Sequence, residues 1–190
     1  MLTAPVWLLT GCLSVAAAIP PPPSPISLSA SESAAVAVGE VAVRYGGDAR
    51  QTVAVVDIKA TPDAVMKAVM DLPARVRDIG SLSAVDVYER SGAQVKAKWT
   101  MSVAMVKVEF HIAYDCELQR GWCVYSLDDS RDNDIESSNG SYQAYAHGEG
   151  TRLVYRTDSL AAGAPEWVRK RLADSSAKEM LRGMKARAED

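Results

Sequence analysis

The run QVKAKWTMSV at residues 94–103, followed two residues later by VKVEFHIAYDCEL at residues 106–118, alternates apolar and polar side chains throughout. In the first run Val95, Ala97, Trp99, Met101 and Val103 fall on one side, and Gln94, Lys96, Lys98, Thr100 and Ser102 on the other. In the second, Val106, Val108, Phe110, Ile112, Tyr114, Cys116 and Leu118 oppose Lys107, Glu109, His111, Asp115 and Glu117. A period of two marks a half-buried strand, and two such runs in succession predict an antiparallel pair with one face in water.

Outward from that pair the signals continue. Residues 40–45 and 52–58 are β-branched runs separated by Gly46-Gly47-Asp48, which predicts a first hairpin or one bent strand. Thr61-Pro62-Asp63 supplies an N-cap, a proline at the first helical position and an acid in the first turn, so a helix should run to about Asp71 before Pro73 stops it. A short helix at 74–79 and strands at 82–88, 122–127, 135–147 and 152–159 follow. Beyond Pro165 the period changes: Val168, Leu172, Ala177, Leu181, Met184 and Ala188 recur at helical spacing, predicting one long amphipathic helix. A sheet with one apolar face must be covered, and this helix is the long element able to do so. The expected fold is α+β: an antiparallel sheet of six to seven strands wrapped around a C-terminal helix.

With 190 residues, 48% of them apolar and 24% charged, the chain holds one domain and belongs to no disordered class. The net charge of -3 gives no footprint for a nucleic-acid partner. Arg182, Lys185 and Arg187 suit the C-terminal end of a helix dipole. Residues 1–18 read as an export leader and 19–39 as a Pro/Ser/Ala-rich spacer, leaving 40–190 as the folded domain. The apolar run is shorter than the roughly 18 residues of a spanning helix. It ends in Ala16-Ala17-Ala18, which fits a cleavage site, while Leu9-Thr10-Gly11-Cys12 matches a lipoprotein box. Both readings predict export, to the periplasm or, through a lipidated Cys12, to a membrane.

The element order and several segments resemble the START-related superfamily, in particular its polyketide cyclase and coenzyme-Q-binding-protein branch. Ile58-Lys59-Ala60-Thr61-Pro62-Asp63-Ala64-Val65 is similar to that family's strand-then-Ala-x-Pro-x-x-Val entry to its first helix, and Asp71 falls where an aspartate usually follows. Gly140-Ser141-Tyr142 resembles a Gly-x-Trp segment, and Gly150-Thr151-Arg152-Leu153-Val154-Tyr155 the Gly-Thr-Arg-hydrophobic-x-Tyr strand before the last helix. The resemblance implies a helix-grip fold with a cavity between sheet and terminal helix, on a scaffold that hosts lipid carriers, cyclases and protein-binding adaptors.

On that scaffold the candidate lining is Trp99, Met101, Val108, Phe110, Ile112 and Tyr114 from the sheet, with Leu172, Leu181 and Met184 from the helix. Tyr155 joins them; for a cyclase-like enzyme Arg156 and Tyr155 would be the candidate polar cavity groups, of which alternation turns only one inward. Such a wall suits a hydrophobic small molecule: a lipid, quinone or sterol. His111 lies on the polar side of its strand and His147 abuts a turn, so neither reads as a catalytic base. The acidic run Asp128, Asp129, Asp132, Asp134 and Glu136 lacks a calcium-loop pattern and reads as a solvated loop. No metal site and no cofactor is expected. The turn between Cys116 and Cys123 allows two registers. A Gln119-Arg120 loop puts the cysteines opposite each other; an Arg120-Gly121 loop, better suited to a type I′ turn, puts Cys116 opposite Tyr125 and leaves two unpaired thiols.

Overall fold

A computed structural model describes residues 19–46, 50–103, 106–160 and 166–190, with the side chains of Val103 and of residues 166–175 excepted. The leader, with Cys12, lies outside the described residues, as does the side chain of Leu172.

Among the described residues eight strands form one antiparallel sheet: β1 (Ala42–Tyr45), β2 (Gln51–Ile58), β3 (Leu82–Ser91), β4 (Gln94–Val103), β5 (Val106–Glu117), β6 (Trp122–Leu127), β7 (Ser137–His147) and β8 (Gly150–Leu160). Their order is β1-β2-β8-β7-β6-β5-β4-β3, so that β2 pairs with β8 and the rest run as a meander. The strand count exceeds the expected six to seven because residues 40–45 and 52–58 form two paired strands, with Ala42 opposite Val55. β4 and β5 pair in the alternation that the sequence displays: Trp99 faces Phe110, and Lys98 faces His111 on the other side.

Residues 19–39 do not stand off as a spacer. They hold a helix, α1 (Ala30–Ala37), opened by a capping box in which Ser29 and Glu32 satisfy each other's backbone N–H. Val36, Ile26 and Leu28 pack with Ala42, Val55, Val154 and Tyr145 as a second, smaller core. Trp122 Nε1 donates to the Pro20 carbonyl at 2.8 Å and Gln143 Nε2 to that of Pro23 at 2.7 Å. The Pro/Ser/Ala composition describes local stiffness but carries no record of the few apolar side chains that dock.

The first helix after the opening hairpin, α2 (Pro62–Met70), begins where Thr61 Oγ1 accepts the Ala64 N–H at 3.3 Å, and buries Val65, Met66, Ala68 and Val69. The short α3 (Arg75–Asp78) follows, and the long α4 (Glu166–Glu189) packs against α2, α3 and β2. Ala177, Met180, Leu181 and Met184 of α4 enter the same core as Val95, Ala97 and Leu153 of the sheet. Gly183 lets α4 approach α3, because a Cβ there would sit 2.1 Å from the Asp78 carboxyl carbon. Asp78 accepts from Arg187 Nη1 at 2.6 Å, tying the two helices.

The two cysteines are joined, contrary to the register that turn chemistry favours. Cys116 lies opposite Cys123, their Cα atoms 4.0 Å apart, and they form a disulfide. The connection is neither two-residue loop: Leu118–Arg120 make a 3-10 turn, and Gly121 closes it with φ +62°. A Cβ on Gly121 would also stand 2.0 Å from the Ala144 carbonyl oxygen, so glycine is required there twice over.

The acidic segment after β6 lies along the half of β5 that β6 does not reach. Asp128 N–H donates to the His111 carbonyl and Asp134 N–H to that of Glu109, at 2.8 and 2.9 Å. Asp134 Oδ2 accepts from the Glu109 N–H at 2.8 Å, and Asn133 Oδ1 from the His111 N–H at 2.7 Å. These side chains continue the sheet's edge. Among the described residues no group of three or more His, Cys, Asp or Glu is arranged to hold a metal ion.

Candidate functional site

Among the described residues, the interior between the sheet and α4 is lined by aromatic rings around one buried cation. Of the expected lining residues, Trp99, Ile112, Tyr114, Leu181 and Met184 are buried in the main core. Met101, Phe110 and Tyr155 are half-buried against it. Val108 is also half-buried, and Val106, at the end of the strand, is 61% exposed. Burial thus falls off along β5, from the disulfide at one end to the open end near Val106.

Alternation decides the Tyr155/Arg156 pair. Tyr155 turns inward, stacked on Tyr142 at 5.0 Å between ring centroids. Arg156 turns outward, donating to Gln143 Oε1 at 3.1 Å. The hydroxyls of Tyr125 and Tyr155 share a hydrogen bond of 3.0 Å, and Tyr125 lies 5.7 Å from Tyr114 between ring centroids. Gly140, opposite Tyr125 across the ladder, makes room for it: a Cβ there would fall 2.4 Å from the Tyr125 hydroxyl oxygen. Burial pushes the Tyr114 and Tyr125 hydroxyls well above the ordinary phenol range and Tyr155 up to about 12. At neutral pH all three are neutral hydrogen-bonding groups.

The cation is Arg75, at the start of α3, with no exposed surface at all. Its Nη2 donates to the Val69 carbonyl at 2.5 Å. Its Nη1 donates to Tyr142 Oη at 3.1 Å and meets Met180 Sδ at 2.8 Å. The guanidinium lies over the rings of Tyr142 and Trp99, 5.3 and 6.0 Å from their centroids. Among the described residues its Nε–H and the Trp99 indole N–H have no hydrogen-bond partner. The indole N–H is close enough to the Tyr114 hydroxyl to oppose slightly the rise in its pKa, without completing a hydrogen bond to it. Among the described residues no carboxylate pairs with Arg75.

The alternation in the sequence places the apolar side chains on the inner face but carries no sign of the buried arginine among them. Arg75 sits in a four-residue helix too short to show a periodicity, and a buried arginine contradicts the ordinary expectation for its type. Tyr142 was visible as a family match but not as a lining residue, and Tyr125 and Met180 lay in segments read only for secondary structure. His111 is on the outer side of β5, its Nδ1 3.1 Å from the Asp132 carbonyl, and His147 is exposed, so neither reaches the interior. An open surface depression at Gly92, Ala93, Glu117, Leu118, Gln119 and Arg120 lies on the hairpin ends, away from the aromatic interior.

No protein-family model matches the sequence, and no curated protein matches it. Solved structures do. A protein of Thermus thermophilus superposes with a TM-score of 0.65 at 19% identity, covering 73% of this chain and 96% of that one. A STAR-related lipid transfer protein of Xanthomonas axonopodis superposes with a TM-score of 0.60 at 15% identity, over 79% of this chain and 93% of the other. The Zhui aromatase/cyclase of a Streptomyces species does so with a TM-score of 0.53 at 18% identity, over 73% and 85%. The chain has the helix-grip fold of the START-related superfamily.

Proposed function

We propose that this chain binds a hydrophobic or amphipathic small molecule between the sheet and α4, and acts as its carrier. The observation that supports the reading is the aromatic interior, whose lining opens from buried Tyr114 to half-buried Phe110 and Val108 along a single strand. An enclosed apolar wall with few convergent polar groups is how small-molecule sites are built. That two structural neighbours are a lipid transfer protein and an aromatase/cyclase agrees with such a use of the fold. Trp99 provides the test, because a ligand against its ring changes its emission. Titration of the purified chain with a lipid, a sterol and a quinone should give a saturable change with at least one of them, absent in Trp99→Phe. A flat response to all three would contradict the reading.

A second reading, a cyclase-like enzyme, has the Tyr125–Tyr155 hydroxyl pair in its favour, in the same interior as Arg75. Turnover of a poly-β-ketone thioester mimic, lost in Tyr155→Phe, would establish it over the carrier.

We further propose that the protein works after export, which the Cys116–Cys123 disulfide supports, since such bonds persist in oxidising compartments. The mature N-terminus, measured by mass on material from the native host, should lie near Ile19 or be a lipid-modified Cys12 that holds the domain at a membrane. Recovery of intact Met1 from the cytosol would contradict it.

A further inference from the structure

The interior has a surplus of donors. An arginine offers five N–H groups and no acceptor, and among the described residues Arg75 finds only a backbone carbonyl, a phenol and a thioether to receive them. The thioether of Met180 is the weakest of these, yet two donors converge on it, Arg75 Nη1 at 2.8 Å and the Tyr142 hydroxyl at 3.5 Å. Beside them the Arg75 Nε–H and the Trp99 indole N–H are buried with no acceptor among the described residues. The charge is equally unbalanced. Removing a guanidinium from water without a counter-charge is costly, and the surrounding tyrosines are neutral. Every salt bridge found among the described residues lies elsewhere, and none involves Arg75. A group that only accepts and carries a negative charge would match these donors.

Resting on the carrier reading above, we infer that the ligand is an amphipathic monocarboxylic acid whose carboxylate docks on Arg75 and the Trp99 N–H, taking the place on Nη1 now held by Met180 Sδ. Its apolar body then runs along Trp99 and Phe110 toward the open end of β5. Met180 belongs to α4, so an arriving carboxylate displaces a contact of the covering helix itself. An unbranched thioether gives way more easily than a branched side chain would.

The test uses the full chain and two matched pairs of probes, palmitate with hexadecanol and anthracene-2-carboxylate with anthracene-2-methanol. In at least one pair the acid should bind about ten times more tightly than the alcohol, or better, as expected when a charge-assisted hydrogen bond replaces a neutral one. In Arg75→Met the ratio should fall to within about twofold while the alcohol still binds. That variant replaces a buried charge by an apolar side chain, a change that folds commonly tolerate. A measurement on the unaltered protein stands beside it: the carboxyl carbon of carboxyl-labelled palmitate, followed by carbon NMR, should stay ionised, when bound, to a lower pH than in free palmitate. Equal affinity for acid and alcohol in both pairs, or a bound carboxyl that titrates at or above the free acid, overturns the inference and leaves the carrier reading standing. So does a sterol or quinone that binds where no acid does. Failure of every probe to bind overturns both.

Discussion

Single residues hold the sheet and its edge in place, and two of them can be tested. Asp128 accepts from the Ser130 hydroxyl at 2.6 Å and the Tyr88 hydroxyl at 2.8 Å, with Lys96 3.6 Å away. The Ser130 hydrogen bonds, then Tyr88 and Lys96, lower its pKa from 3.8 to about 2 against the opposing effect of burial. A carboxylate with a depressed folded pKa adds stability that is complete above its unfolded pKa, near 4, and is lost as pH falls through the folded value. Asp128 is itself buried, but Lys96 beside it is 33% exposed and solvent screens that part of the interaction, so Asp128→Asn should cost about 1–2 kcal/mol at neutral pH. The gap between the two proteins in urea titrations should close between about pH 4 and pH 2. A gap independent of pH would show that the charge contributes nothing. Gly140 is constrained by space instead: its added Cβ would lie 2.2 Å from the Arg156 carbonyl oxygen as well as against Tyr125. Gly140→Ala should lose about 2–4 kcal/mol and disturb the Tyr125–Tyr155 hydroxyl contact, visible as a change in near-ultraviolet tyrosine dichroism. An unchanged midpoint would mean that the ladder shifts freely at this point.

At the scale of elements, the β5–β6 turn shows what a sequence can and cannot specify. The alternation of 94–103 and 106–118 settled which side chains face inward, because a one-residue slip would turn every apolar group to water. Thr61-Pro62-Asp63 located the start of α2 to the residue, since a cap is a local chemical arrangement. The turn needed more. Arg120-Gly121 fits a tight two-residue loop locally, but the close passage of the Ala144 carbonyl over Gly121 is a long-range contact that no local preference contains. The same limit hid the docking of α1, which rests on isolated side chains such as Val36, and the burial of Arg75, where a helix of one turn leaves no pattern. The disulfide gives this scale its prediction. Closing so short a loop is worth about 2 kcal/mol by the loop-entropy relation. Thiol labelling of denatured, unreduced protein from an oxidising compartment should leave both Cys116 and Cys123 unmodified, and reductant should lower the unfolding midpoint accordingly. Labelling of both before reduction would contradict the pairing.

For the whole molecule, the sheet and α4 are mutually dependent. Leu181 and Met184 are fully buried against the sheet, and Arg187 anchors the helix to Asp78. Ending the chain at residue 164 should expose the apolar face and cost more than the ~5–15 kcal/mol by which a domain is ordinarily stable. The shortened chain should aggregate; a soluble product with two-state unfolding would refute the grip. What α4 covers is the aromatic interior with Arg75 at its centre. In the proposed function this interior takes up an apolar or amphipathic molecule. Native mass spectrometry of the intact chain, purified without denaturation from its own host, tests it most directly. A carrier should show a second mass, heavier by one small molecule, released on denaturation and restored from a lipid extract of the same cells. A single unliganded mass, unchanged after incubation with that extract, would contradict it.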